Sequence, residues 1–131
     1  MSEPIVFVSH FRIKEGQLEA LRRMSADSTE RLRAQKPRTV LFLSYIDEEQ
    51  GVVSFIHAFE DADAMDLHFE GADERSKAAY ELIEPIGWEF YGRGSPAALE
   101  SMRQAAASTG GALSVQPEYL AGFLRLASAP A

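Results

Sequence analysis

The chain has 131 residues, enough for one domain with a real core, and its 13 basic against 20 acidic residues give a formal net charge of -7. That balance excludes the basic footprint that nucleic-acid binding needs, and it argues against an anionic membrane surface as a partner. There is no cysteine, which excludes disulfides, thiolate metal sites and cysteine nucleophiles, and 46% hydrophobic with 25% charged residues is an ordinary soluble balance. The opening MSEP has neither a basic nor an apolar segment of the secretory kind, and no apolar run approaches the ~20 residues that span a bilayer. A cytoplasmic location is expected.

Ile5 to Ile13 (IVFVSHFRI) alternates as a first strand, with Ile5, Phe7, Ser9, Phe11 and Ile13 on one face and Val6, Val8, His10 and Arg12 on the other. After a turn at Lys14–Gly16, Gln17 to Gln35 has helical spacing, with Leu18, Leu21, Ser25, Ser28 and Leu32 on one stripe. Serines in the middle of that stripe leave room against a sheet unless Leu21 and Met24 close it. The helix is expected to stop before Lys36-Pro37, because a residue preceding proline avoids the α region. Thr39 to Ile46 and Val52 to Phe59 read as a hairpin of strands around the polar loop Asp47–Gly51. Asp61 is placed to cap a second helix that carries Met65, His68 and Phe69 on one face. Gly71 breaks that helix, its periodicity resumes at Ala72, Ala79, Leu82 and Ile83, and Pro85 ends it. Ile86 to Tyr91 is the fourth strand. Ser95-Pro96 opens a third amphipathic segment with Leu99, Met102 and Ala106 as its stripe, Gly110-Gly111 is a hinge, and Ala112 to Leu126 reads as an added strand or arm.

The order β-α-β-β-α-β predicts an α+β, ferredoxin-like split βαβ arrangement: an antiparallel sheet with helices on one face, followed by a C-terminal helix and strand-like arm. Residues 1–93 are expected to form that domain, with 94–131 part of the same compact unit or of a dimer. The other sheet face offers apolar residues in every strand, so a second copy is expected to cover it.

The segment FEDADAMDLHFEG (Phe59–Gly71), Gly16 after the first strand and the closing fourth strand resemble the antibiotic biosynthesis monooxygenase-like domain of the dimeric α/β-barrel superfamily. The resemblance covers about Glu3 to Gly92. It implies a homodimer, with the arm in an inter-subunit role. It also implies a small enzyme that oxidises a phenolic, quinol or polyketide-like aromatic molecule with oxygen and no cofactor. The haem-degrading branch uses an Asn on strand one and a Trp in the second helix, and this chain has neither there.

Among single residues, His68 is the leading candidate for a catalytic proton acceptor, since an ordinary imidazole pKa of about 6.5 suits that role. Its alternative is a helix histidine bonded to backbone or to a partner chain. His57 shares a strand face with Val53, Phe55 and Phe59, as a satisfied core histidine or as a pocket base. His10 or His57 would converge with His68 if strands one and three are neighbours and the phase of alternation is right. Ser25, Ser28, Tyr45, Phe55, Tyr80 and Trp88 are candidates for holding an aromatic substrate, and Arg12 for anchoring an acidic oxygen. No element carries a pair of histidines at ligand spacing, so no metal is expected. No phosphate-binding loop or nucleophile elbow occurs either. Two other readings keep the fold: a dimeric ligand-binding or structural protein without catalysis, and an isomerase or lyase working by proton transfer.

Overall fold

A computed structural model describes residues 3–125 of the chain. In order, the elements are β1 (Ile5–Ile13), α1 (Leu18–Gln35), β2 (Thr39–Asp47), β3 (Val52–Phe59), α2 (Ala62–Phe69), α3 (Ala72–Ala79), β4 (Ile83–Tyr91), α4 (Pro96–Thr109) and β5 (Ala112–Gln116). The strands form one sheet in the order β2-β3-β1-β4-β5. The first four pair antiparallel in the split βαβ order, so the α+β ferredoxin-like expectation holds. The fifth departs from it: β5 lies parallel to β4, reached through α4, which makes the sheet mixed. The sheet of a single chain is open and does not close into a barrel.

Local chemistry sets the helix ends. Asp61 accepts the Ala64 N–H at 2.8 Å as the α2 cap, and Arg38 grips the same carboxylate with contacts of 3.0 and 3.1 Å. Gly71 separates α2 from α3 in the left-handed region, at φ 79°, where a side chain would be strained. Ser95 caps α4 with Pro96 in the first turn.

The boundary between α3 and β4 differs from the sequence reading, and of Ala112 to Leu126 only Ala112–Gln116 is strand. α3 ends at Ala79, and Ile83 and Pro85 belong to β4 instead of closing a helix. The spacing of Ala79, Leu82 and Ile83 mimics a helix face, but it spans a turn and the start of a strand. The proline is tolerated because the β1–β4 register shifts there: Phe11 faces Pro85 and His10 faces Gly87, which leaves Ile86 as an extra residue. On the other side of β4, pairing with β5 begins only at Gly87, so no ladder bond asks for the missing N–H.

The helix-side face of the sheet holds the core. Ile5, Phe7, Phe59 and Phe90 pack under α2 and α4, with Met65 of α2 and Leu99, Met102 and Ala106 of α4 against them. Phe11, Leu21, Val53 and Ile83 form a second cluster under α1. Gly111 clears space for the Trp88 ring, since a Cβ there would stand 2.8 Å from it. The opposite face presents Val6, Val8, Leu43, Tyr45 and Ile56, partly or largely exposed. Past β5, Leu120 is 95% and Phe123 76% exposed, and Leu126 lies outside the described residues. Among the described residues no helix is long and apolar enough to cross a membrane.

Candidate functional site

Between the two core clusters, α1 and α3 stand off the sheet and leave a cavity of about 380 Å³. This lies within the roughly 300–1,000 Å³ of typical small-molecule sites. Its floor is aromatic, with Phe7, Phe55 and Trp88 from the sheet, while Ser25 and Ser28 of α1 stand on the opposite wall. The serine stripe therefore does make room, and Leu21 and Met24 line the space without filling it.

Two histidines meet in this cavity. His57 of β3 and His68 of α2 are 8% and 2% exposed, and their rings make an edge-on contact with centroids 4.9 Å apart. Phe42 and Phe7 flank His57, at 5.0 and 5.7 Å, and Phe59 lies 5.1 Å from His68. His68 Nδ1 is hydrogen-bonded to the Thr39 hydroxyl at 2.6 Å. His57 Nδ1 is buried and has no hydrogen-bond partner of good geometry.

Burial, mainly, pushes His57 down to about 4; weak hydrogen bonding with the Phe7 backbone opposes this in part, and the charge of Arg75 adds to it. His68 falls to about 3, chiefly through burial and then through His57, Arg75 and Lys36. Both rings are therefore neutral near pH 7, and each offers one N–H and one lone pair. This replaces the near-neutral pKa that the sequence suggested for His68. Such a ring is a weak base in the empty cavity. It becomes a competent one only when an anion forms beside it and stabilises the imidazolium.

Thr39 reaches His68 because β2 is irregular. Its register with β3 shifts between Thr39 and Leu41, so Thr39 takes the place opposite Phe59 while Phe42 stands opposite His57. Arg75 of α3 lines the cavity and donates to the His68 carbonyl at 2.6 Å, fixing the end of α2. Ser9, 4% exposed, lies on the floor. Sequence reasoning missed Thr39, Phe42, Arg75 and Ser9 as site neighbours. Only Ser9 carried a readable signal, as the polar member of an otherwise apolar strand face.

Of the residues singled out in sequence, His57, His68, Ser25, Ser28, Phe55, Tyr80 and Trp88 all line this cavity. His10, Arg12 and Tyr45 do not. β1 and β3 are indeed neighbours, but His10 pairs with Ser54 on the open face, one step out of phase with Ser9 and Phe55. There its Nδ1 meets the Ser54 hydroxyl at 2.7 Å and its Nε2 the Glu89 carboxylate, to which Tyr91 also donates at 2.9 Å. These two bonds hold Glu89 below the usual carboxylate range. Arg12 faces Glu84 at 3.5 Å, and Tyr45 is 60% exposed.

With this geometry in view, the relatives are structural ones. MupZ from Pseudomonas fluorescens superposes with a TM-score of 0.67 at 17% identity, over 93% of this chain and 91% of that one. A Caulobacter crescentus protein named as a candidate antibiotic biosynthesis monooxygenase gives 0.60 at 15% identity, over 68% and 88% of the two chains. Protein SO0527 of Shewanella oneidensis gives 0.55 at 23%, over 69% and 88%. No protein-family model and no curated protein matches the sequence. The fold is thus the ferredoxin-like arrangement of the antibiotic biosynthesis monooxygenase-like structures, and at these identities the likeness speaks for the fold.

Proposed function

We propose that the chain is a cofactor-independent monooxygenase for a phenolic, quinol or polyketide-like aromatic molecule held in the cavity. The observation that carries this reading is the buried pair of His57 and His68, in edge-on contact in a cavity walled by aromatic rings. Candidate antibiotic biosynthesis monooxygenases among the structural neighbours support the same chemistry.

In this mechanism a neutral imidazole takes a proton from the activated CH₂ or hydroxyl of the substrate. The resulting anion passes one electron to O₂, and the radical and superoxide combine to a peroxide. Loss of water from the peroxide leaves a carbonyl, so that R₂CH₂ and O₂ become R₂C=O and H₂O. The aromatic walls exclude bulk water and keep the ion pair of imidazolium and anion strong.

The test is oxygen uptake with a panel of anthrones and quinols. His57→Phe is expected to lower the rate about 100-fold or more while leaving the fold at least as stable at neutral pH, because it removes the unpaired nitrogen. A rate unchanged in this variant would sink the assignment. Substrate conversion without oxygen uptake would turn it into a proton-transfer isomerase.

The working unit in this proposal is a homodimer, with residues 94–131 acting as part of the same unit. Support comes from the open face, where Leu43 is 41% and Tyr45 60% exposed, and from the bare Leu120 and Phe123 of the arm. Sedimentation at micromolar concentration is expected to give twice the 14.5 kDa chain mass, and Tyr45→Glu to shift it toward one. A wild-type monomer would contradict it.

A further inference from the structure

One cation of the cavity wall, Arg75, has no carboxylate bound to it among the described residues. The Arg75 guanidinium donates only to backbone, to the carbonyl of His68 at 2.6 Å and that of Glu70 at 3.0 Å. Among the described residues no carboxylate pairs with it; Arg23, Arg31, Arg93 and Arg125 likewise have none while Arg12, Arg22, Arg33, Arg38 and Arg103 each have one, and Arg75 is the arginine that lines the cavity. The Lys36 ammonium reaches the same helix end, donating to the carbonyls of Leu67 at 2.7 Å and Glu70 at 3.1 Å. Arg31 acts on Arg75 from α1, and both Arg75 and Lys36 act on His68.

The end of α2 explains part of this. A helix C-terminus supplies roughly half a negative charge. Two full cations sit on it, with a third close by. Asp73 lines the cavity as well, but it lies two residues from Arg75 on the same helix, a spacing that does not bring side chains face to face, and the two form no ion pair. Tyr80 is a neutral phenol, and both histidines are neutral. A neutral occupant would thus seal a partly buried guanidinium against two uncharged rings, with the unpaired Asp73 as the one carboxylate of the wall.

We infer that the cavity takes an organic anion: an apolar, ring-bearing body with a carboxylate or comparably acidic oxygen, held by Arg75 and by an imidazole N–H of the histidine pair. This rests on the reading of the cavity as a small-molecule site, and it narrows the substrate to acids. The ring lies on the Phe7, Phe55 and Trp88 floor, and the acidic oxygen turns toward α3. Such an anion supplies the negative charge that the histidines lack when they must accept a proton.

Trp88 is the one tryptophan of the sequence and lines the cavity, so it reports occupancy directly. The experiment compares 4-phenylbutyrate with 4-phenylbutanamide, which differ in charge and little in shape, by titration calorimetry and Trp88 fluorescence on the full chain at neutral pH. The carboxylate is expected to bind about tenfold or more tighter. Arg75→Gln is expected to erase that preference while leaving the amide within about twofold, and Arg75→Lys to keep part of it. Thermal melts check that both variants are folded. If Arg75→Gln unfolds, the wild-type preference and the Lys variant decide. Equal affinities in the wild type, or a preference that survives Arg75→Gln, would overturn the inference and leave the cavity reading standing. If neither compound perturbs Trp88 or binds, the cavity reading falls with it.

Discussion

Acidification is expected to destabilise this protein well before its carboxylates titrate. His57 and His68 are held at about 4 and about 3 in the folded chain, against 6.5 when exposed. In that window the unfolded state binds protons that the folded state refuses, so stability is full above about pH 6.5 and falls as the pH drops. Each histidine withdraws about 1.4 kcal/mol per pH unit, or about 2 kcal/mol by pH 5. Two together would take much of the 5–15 kcal/mol or so of a typical domain. Urea melts between neutrality and about pH 5 measure this, and His57→Phe should reduce the slope by about half. A stability that stays flat down to about pH 5 would mean that the histidines are not buried as described.

A second large effect is expected at Phe90. Its ring is fully buried, meets Phe7 with centroids 6.1 Å apart, and presses on the backbone after β4, where a Cβ on Gly94 would lie 2.5 Å from it. Phe90→Ala leaves a hole that neither the sheet nor α4 can close, and about 3–5 kcal/mol of stability should be lost. The denaturation midpoint should fall with little change in slope. Phe90 does not line the cavity, so protein that remains folded should bind ligand as before. A loss below about 1 kcal/mol would show that this part of the core repacks freely.

Much of this architecture could be read from pattern. β1 and β3 alternate so regularly that their bounds coincide with the apolar runs, and α1 ends at the residue that Pro37 dictates. The two histidines were legible as a pair because each lies on an apolar face that has to meet the other. Two features were not. β4 begins earlier than its aromatic run because a proline is absorbed at a register shift, which composition does not announce. α3, with sequence ADERSKAA, has no apolar stripe to orient it, so nothing marked Arg75 as facing the cavity. The phase error at His10 is different in kind. Ser9, not His10, shares the face of Phe7 and Phe11, and the alternation already said so.

The register shift in β2 has a consequence for how such a site diverges. In unbroken alternation Val40 would stand opposite Phe59, and Thr39 would turn to the open face. The extra residue exchanges an isopropyl group for a hydroxyl at His68 Nδ1 without a change in any core side chain. β2 is an edge strand, held by a ladder on one side only, so insertions and deletions are accommodated there more readily than inside the sheet. Descendants of one backbone can therefore retune the proton chemistry of this histidine through the length of a peripheral segment, a change that comparison of their interiors would not reveal.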